Sequence, residues 1–397
     1  MLINASRLKN NLQELSTFSE PGKGITRRCF TDVYDKGLNY VRNLMENAGL
    51  TTRLDSVGNL IGRKKGKYNN RSAIVIGSHI DTVPNGGMFD GTVGVLGAIE
   101  VIRTLTESQY TNNYPLEVIS FYNEESSAPA LTGGTFGSRV MMGVININSF
   151  LLENVKKINL SEQDLQSAYR DPNTIKNYLE LHIEQGRILY DQKIQIGIVT
   201  GIVGKKRYLA TVKGKANHAG TTPMYDRDDA LLKALPLIKG VNDIVREIGT
   251  NLVGTVGRID VKPGVQNVIP GEVEITIEFR DLEFGTIDKA VKKMKDLINK
   301  IGDTELIEVE AKNSSLMDKN VQLQIEKACI SNSFTHKYMP SGAGHDAREL
   351  AKKVPSGLIF IPSIEGISHA SDEMTDFDDI NNGTTVLLDA VKLLDNE

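Results

Sequence analysis

The sequence of 397 residues predicts an α/β protein in which a smaller domain is inserted into a mostly parallel sheet domain. Short β-rich runs alternate with helical patterns from about residue 70 onward, and this alternation is typical of a parallel sheet. Between about residues 206 and 312 the order of the elements changes, and the first pattern then resumes. The length agrees with this division, because roughly 150 residues per domain predicts two to three domains.

Composition excludes several classes of protein. With 46 Lys and Arg against 50 Asp and Glu, the net charge is -4, and no basic block favours nucleic-acid binding. Two cysteines far apart, Cys29 and Cys329, offer neither a disulfide framework nor a cysteine-rich zinc module. The first ten residues lack the apolar core of a signal peptide, and no stretch has the 18 or so apolar residues of a membrane span. We therefore expect a cytoplasmic protein with no membrane or nucleic-acid partner.

The first strands of the larger domain are apolar runs that end in polar residues. Ala73–Ser78 and Leu116–Tyr122 are the clearest strands, and Val93–Ser108 separates them with a helical pattern. A nearly all-apolar strand is expected where helices cover both faces of a sheet. Ligands in such sheets bind at the carboxyl ends of the strands, so the residues that follow these runs are candidates for chemistry.

The inserted segment predicts the order β-α-β-β-α-β. The predicted elements are, in chain order, Arg207–Lys213, Arg227–Ile248, Leu252–Val261, Glu272–Arg280, Thr286–Ile301 and Glu305–Ala311. This order is that of a ferredoxin-like domain. The sequence thus predicts a discontinuous larger domain at 1–206 and 313–397, with the insertion at 207–312.

The six histidines lie among carboxylates in a way that predicts a metal site. His79 follows the first strand, and Asp90 comes eleven residues later. Imidazole and carboxylate groups are the usual ligands of zinc and similar ions. His182 lies between acidic residues, and His369 follows a Gly-Ile-Ser segment near the C-terminus. Any one of these taken alone is more often a structural residue, but their joint placement favours metal ligands.

A pair of adjacent carboxylates, Glu124 and Glu125, follows the second strand. Burying two carboxylates at a strand end is costly unless cations lie nearby. Asp81, two residues after His79, is a candidate to orient the imidazole without contacting the metal.

A series of motifs extends over nearly the whole chain. It begins with Gly24-Ile25-Thr26-Arg27 and continues with SHIDTVPNGGMFDG, ELHIEQG, KANHAGTTPM, QNVIPG, FRD, GAGHDA and GISHA. In these motifs the sequence resembles the carbamoyl-amino-acid amidohydrolases, which include L-carbamoylases, allantoate amidohydrolases and β-ureidopropionases within the dinuclear-metal aminoacylase and exopeptidase superfamily. We assign no ligand role to His345, the histidine of GAGHDA.

The resemblance implies a dinuclear-metal catalytic domain and assigns each predicted ligand to one or both of the metal positions. Asp90 would bridge two divalent ions, with His79 and His182 at one position and Glu125 and His369 at the other. Glu124 would be the general base. Zinc or manganese would suit these ligands, as would cobalt or nickel, because nitrogen and oxygen donors bind all four.

The inserted domain would, by the same resemblance, be a lid and the dimerisation module of a homodimer. His218 would reach the active site of the other subunit, although taken alone it is more often a loop or capping histidine. Arg280, Asn267 and Gln185 would hold the substrate carboxylate. The alternative for Arg280 is a strand-end arginine paired with Asp281.

The expected activity is metal-dependent hydrolysis of the carbamoyl or ureido C–N bond of N-carbamoyl amino acids or allantoate, with release of ammonia. Two alternatives remain, an aminoacylase or metallo-exopeptidase that uses the same ions, and a catalytically silent binder. The segment Ser126-Ser127-Ala128-Pro129 departs from the Gly-x-Arg-Phe that follows the glutamate pair in many relatives, so pocket contacts from it are open.

Overall fold

A computed structural model of the chain describes residues 1–127, 132–249 and 251–397. Its contacts divide the chain into two compact units. Unit 1 comprises Met1–Thr200 and Leu316–Glu397, and unit 2 comprises Gly201–Ser315. The insertion limits predicted from the sequence, 207 and 312, both lie within unit 2.

The strands of the described residues are numbered in chain order. They are β1 Thr51–Leu54, β2 Leu60–Lys64, β3 Ala73–His79, β4 Leu116–Phe121, β5 Ile175–Ile183, β6 Ile196–Ile202, β7 Gly204–Lys213, β8 Val253–Lys262, β9 Glu272–Asp281, β10 Thr304–Lys312, β11 Ser315–Leu316, β12 His336–Ser341 and β13 Ser356–Ile361.

The α-helices are numbered in the same way. They are α1 Ala5–Thr17, α2 Asp32–Asn47, α3 Thr92–Glu107, α4 Phe136–Met141, α5 Ser149–Lys156, α6 Glu162–Ser167, α7 Ile188–Gln192, α8 Ala230–Ile248, α9 Phe284–Ile301, α10 Lys319–Ser331, α11 Asp346–Leu350 and α12 Phe377–Asp395.

The main sheet has the strand order β1-β2-β4-β3-β5-β13-β6-β11, and β12 also pairs with β6. Strand β3 runs parallel to both β4 and β5, and β5 runs parallel to β13. Every residue of β3, β4 and β13 is buried, as expected for strands that are covered on both faces. The predicted α/β class with a mostly parallel sheet is confirmed.

Unit 2 contains an antiparallel sheet with the order β10-β7-β9-β8. Alternate residues of β9, from Val273 to Phe279, are buried and pack in one core with residues of α8 and α9. The period of two shows that one face of the sheet carries the helices. The predicted β-α-β-β-α-β order is therefore confirmed, with β7 beginning at Gly204 rather than Arg207.

Within the described residues, no helix combines the length and the apolar character that crossing a bilayer requires. Cys29 and Cys329 are both buried free thiols.

A buried arginine ties the N-terminal helix to the loop that follows β3. Arg27 donates from Nε to the carbonyl of Ile80 at 2.7 Å, and from Nη1 to the carbonyls of Leu15 and Phe18 at 2.8 and 3.1 Å. The last two carbonyls lie at the C-terminal end of α1, where backbone acceptors lack partners within the helix. Burial lowers the pKa of Arg27 to about 10, so the guanidinium stays charged at neutral pH.

We expect Arg27→Met to lower the free energy of unfolding by about 3 kcal/mol or more, because three backbone carbonyls lose their donor and two of these hydrogen bonds are buried. Urea denaturation measures the loss. The adjacent Arg28 is the matched control: its half-exposed pair with Glu20 should contribute about 1 kcal/mol or less. Equal losses for Arg27→Met and Arg28→Met would contradict the assigned role.

Candidate metal centre and active site

The functional side chains gather at one edge of the main sheet. Strands β4, β3 and β5 are neighbours and parallel, so their carboxyl ends meet at this edge. His79 is the last residue of β3, and His182 is the penultimate residue of β5. Glu124 and Glu125 follow β4 after two further residues. The strand topology thus brings together residues that are far apart in sequence.

The first cluster consists of His79, Asp90 and His182, all buried. The Nδ1 atoms of His79 and His182 lie 3.0 and 2.9 Å from the backbone carbonyls of Asp81 and Ile183. A carbonyl only accepts hydrogen bonds, so each Nδ1 carries a proton and each ring turns its Nε2 toward Asp90. The Nε2 atoms of His182 and His79 lie 3.1 and 4.0 Å from Asp90 Oδ1.

Asp90 Oδ1 is buried without a hydrogen-bond partner in the described structure. The backbone N–H of Gly91 lies 3.2 Å from His182 Nε2. The Asp90 oxygen and the Nε2 atoms of the two histidines face each other across a gap. Ligand atoms around a tetrahedral zinc lie roughly 3.4 Å apart, since each is about 2.1 Å from the ion. The donor set fits a divalent cation.

The second cluster consists of Asp90, Glu125 and His369. Nε2 of His369 lies 3.0 Å from Asp90 Oδ2 and 3.1 Å from Glu125 Oε1. Asp90 thus presents one oxygen to each cluster. Gln185 also belongs here, because its Nε2 donates to Asp90 Oδ2 at 3.1 Å and lies 3.2 Å from His369 Nε2.

Glu124 lies beside the first cluster, with its Oε2 3.9 Å from His79 Nε2. Burial raises its pKa well above the ordinary value, and nearby carboxylates, first Glu125, raise it further. Burial likewise raises the pKa of Glu125 to about 7. Four carboxylates, including Asp81 and Asp90, crowd this edge, and divalent cations would relieve their mutual repulsion.

The carboxylates and imidazoles of the site also shift one another's pKa values. Burial alone would lower the pKa of His182, but the Asp90 carboxylate more than offsets this and raises it to about 9. Hydrogen bonds to Asp90 and Glu125 raise the pKa of His369 to about 10. Burial acts to raise the pKa of Asp90, but its imidazole neighbours reverse this and hold it well below the ordinary value.

The carboxylate of Asp81 contacts the backbone of the glutamate pair. It accepts the N–H groups of Glu124 at 3.2 Å and Glu125 at 3.0 Å. The nearer carboxylate oxygen of Asp81 is 3.7 Å from His79 Nδ1, whereas the backbone carbonyl oxygen of Asp81 is 3.0 Å from the same nitrogen. The backbone of Asp81 therefore orients the imidazole, and its side chain fixes the loop that bears the glutamates.

Three of the predicted residues, His218, Asn267 and Arg280, lie in unit 2. Nδ1 of the exposed His218 accepts the backbone N–H groups of Gly220 and Thr221 at 3.0 and 3.2 Å. Its neutral tautomer must then carry the proton on Nε2. The carbonyl of Asn267 accepts the N–H of Ala219 at 2.9 Å, which joins the two loops.

Arg280 interacts with a neighbour on its own strand. Its Nε donates to Glu278 Oε1 at 2.6 Å. The other carboxylate oxygen of Glu278 accepts from Arg207 Nη2 at 2.6 Å. Glu278 and Arg280 are two residues apart on β9, so both side chains project from the same face of the sheet.

Known proteins are similar to this chain over most of its length. Residues 75–393 match the model of peptidase family M20/M25/M40. The chain is 36% identical over 407 residues to the N-carbamoyl-L-amino-acid amidohydrolase of Paenarthrobacter aurescens, with 98% of each protein covered. It is 35% identical to the allantoate amidohydrolase of Bacillus subtilis, with 92% of each covered.

The solved structure of a hydantoinase/carbamoylase family amidase from Burkholderia multivorans superposes with a TM-score of 0.91. That chain is 33% identical, and the match covers 100% of this chain and 99% of the other.

The chain belongs to the hydantoinase/carbamoylase family.

Membership in the hydantoinase/carbamoylase family makes the protein an amidohydrolase that hydrolyses carbamoyl or ureido C–N bonds. The resemblance inferred from the sequence is confirmed, and so is the interpretation as an enzyme. The imidazole and carboxylate clusters have the ligand types and the spacing of a metal-binding site.

Three buried residues next to the first cluster are not among the predicted site residues. Glu180 accepts the hydroxyl of Ser78 at 2.8 Å, and the ring of His345 lies 4.4 Å from that of His182. Asp346 accepts the hydroxyl of Ser138 at 2.5 Å. The period of two along β5 could have indicated Glu180, because it shares a face with His182.

The segment in which the sequence departs from many family members is only partly described. Ser126 and Ser127 follow the glutamate pair, with Ser126 at a φ of 55°. Ala128 and Pro129 lie outside the described residues.

Gly91 is required at its position because its backbone has a φ of 65° and a Cβ would lie 2.4 Å from the imidazole of His79. We expect Gly91→Ala to displace His79 and weaken zinc binding by about 10- to 100-fold. Competition with a chelator measures the affinity. Gly344→Ala is the control, since a Cβ there has no atom within 4 Å. Unchanged affinity in Gly91→Ala would contradict the assigned geometry.

Proposed function

We propose that the protein is a dinuclear-metal amidohydrolase whose two ions share Asp90. His79 and His182 complete one position, and Glu125 and His369 complete the other. The observation that carries the proposal is the geometry of Asp90, whose two oxygens face imidazole nitrogens of different clusters at 3.1 and 3.0 Å. Zinc or manganese suits these ligands, as do cobalt and nickel.

Divalent ions at these positions would lower the pKa of a water molecule toward 7 or so and polarise the scissile carbonyl. Glu124 is then the general base that accepts the proton of the attacking water. The same carboxyl group returns the proton to the departing nitrogen, which would otherwise leave as an unstable anion. Its carboxylate oxygen, 3.9 Å from the Nε2 of His79, lies next to the first metal position, which suits this role.

The substrate proposed is a small carbamoyl or ureido compound that bears a carboxylate. Arg280 offers a planar guanidinium that binds a carboxylate with two parallel hydrogen bonds. Asn267 and Gln185 supply further donors.

We further propose a cytoplasmic homodimer in which His218 acts in the active site of the partner subunit. Two buried free thiols fit a reducing compartment. The hydrogen bonds to His218 Nδ1 leave an Nε2–H donor on an exposed side chain. Such a donor would stabilise the oxyanion of the transition state.

The proposal is tested by incubating the manganese-reconstituted protein with a panel of substrates. The panel contains N-carbamoyl-L-amino acids, allantoate, N-carbamoyl-β-alanine, N-acetyl amino acids and dipeptides, with the chelator-treated protein as control. Metal-dependent release of ammonia from a ureido compound supports the proposal. Hydrolysis of acetyl compounds or dipeptides alone, followed as free amine, would instead support the aminoacylase and exopeptidase alternative within the broader M20 family.

Glu124→Gln should lower kcat by about 100- to 10,000-fold, because the amide cannot accept the proton of the water. Metal content, measured by elemental analysis, should stay that of the wild type. The exposed Glu14→Gln serves as the control. A rate near that of the wild type in Glu124→Gln would exclude this residue as the base.

Mixing inactive His218→Ala and Glu124→Gln subunits should restore part of the activity. Each hybrid dimer contains one active site with a wild-type Glu124 and a wild-type His218 from the partner subunit. Mixed dimers are first demonstrated with two affinity tags. Demonstrated subunit exchange without recovery of activity would show that His218 does not act across the dimer.

A further inference from the structure

A buried carboxylate links the two loops that carry Asp90 and His369. Glu373 lies four residues after His369 and is 4% exposed, although its neighbours Asp372 and Met374 are exposed. A carboxylate is rarely buried unless it is hydrogen-bonded. The burial of Glu373 between two exposed neighbours therefore needs an explanation.

The two oxygens of Glu373 bind different loops. Oε1 accepts the backbone N–H groups of Phe89 and Asp90 at 3.0 and 3.1 Å. Oε2 accepts the hydroxyl of Ser368 at 2.8 Å. One side chain thus connects the backbone of Asp90 to the residue that precedes His369.

The loop of Asp90 is shaped to receive this carboxylate. A Cβ on Gly87 would lie 2.2 Å from Oε1 of Glu373. Only a glycine lets the backbone approach so closely. Gly87 and Glu373 are therefore matched to each other across nearly three hundred residues of chain.

His369 depends on such a link more than the other histidines do. His79 and His182 lie on buried strands of the main sheet. The side chain of His369 is 47% exposed and its backbone has a φ of 57°, a conformation disfavoured for a residue with a Cβ. Packing therefore restrains His369 less than it restrains the two strand histidines.

We propose that Glu373 is a positioning residue that fixes His369 relative to Asp90 and thereby sets the affinity of the Glu125–His369 position for its divalent ion. This inference rests on the proposed dinuclear centre. The His79–His182 position should depend on it less, because two of its three ligands are held by the sheet.

The test is zinc binding to the full-length metal-free protein, measured by titration against a competing chelator. We expect Glu373→Ala to weaken the second ion at least tenfold while the first ion stays within about threefold of the wild type. Glu373→Gln should restore much of the loss, since its amide oxygen still accepts the N–H groups of Phe89 and Asp90. Asp372→Asn is the matched control at an exposed neighbour and should bind like the wild type.

A second variant keeps the test decisive if Glu373→Ala does not fold, as judged by thermal unfolding of the metal-free protein. Ser368→Ala removes only the contact to Oε2 and should weaken the second ion alone. Unchanged affinities, or equal weakening of both ions, would overturn the inference. A wild-type protein that binds fewer than two ions would instead overturn the proposed dinuclear centre, so the two failures are distinguishable.

Discussion

The crowding of buried carboxylates at the carboxyl edge of the main sheet is the constraint on which the rest of the site depends. Asp81, Asp90, Glu124 and Glu125 lie together in a setting that raises the pKa of three of them by burial. The imidazoles around Asp90 instead hold its pKa well below the ordinary value. Divalent cations at this site would offset the crowded carboxylates and displace protons from the imidazole Nε2 atoms.

Some residues of the site lie on strands and others lie on loops, and different interactions fix the two groups. His79 and His182 are fixed by the buried strands β3 and β5, and backbone carbonyls set their ring orientation. The glutamate pair and Asp90 lie on loops whose backbone N–H groups are bound by the buried carboxylates of Asp81 and Glu373. Hydrogen bonds from backbone N–H groups to buried carboxylates thus fix the positions of these loops, as hydrogen bonds within the sheet fix the positions of the strands.

The proposed metal ligands all lie in unit 1, whereas two of the three proposed substrate contacts lie in unit 2. The carboxylate and imidazole clusters lie within unit 1, and they suit hydrolysis of any carbamoyl or ureido C–N bond. The proposed substrate contacts Asn267 and Arg280 lie in unit 2, where a neighbouring residue, Glu278, already engages Arg280. This separation agrees with relatives that share about a third of the sequence and bear the names of different amidohydrolases.

The sequence by itself determined the fold class, the order of elements in the inserted domain, and which residues are candidate ligands, because each of these depends on local pattern. An apolar run that is followed by His79 or by Glu124 indicates a buried strand with polar residues at its carboxyl end. Only the tertiary structure decided that the carbonyl of Asp81 orients His79, and that Glu373 joins the loops of Asp90 and His369. The hydrogen bond between Glu373 and Asp90 spans 283 residues, and such contacts leave no local signal in the sequence.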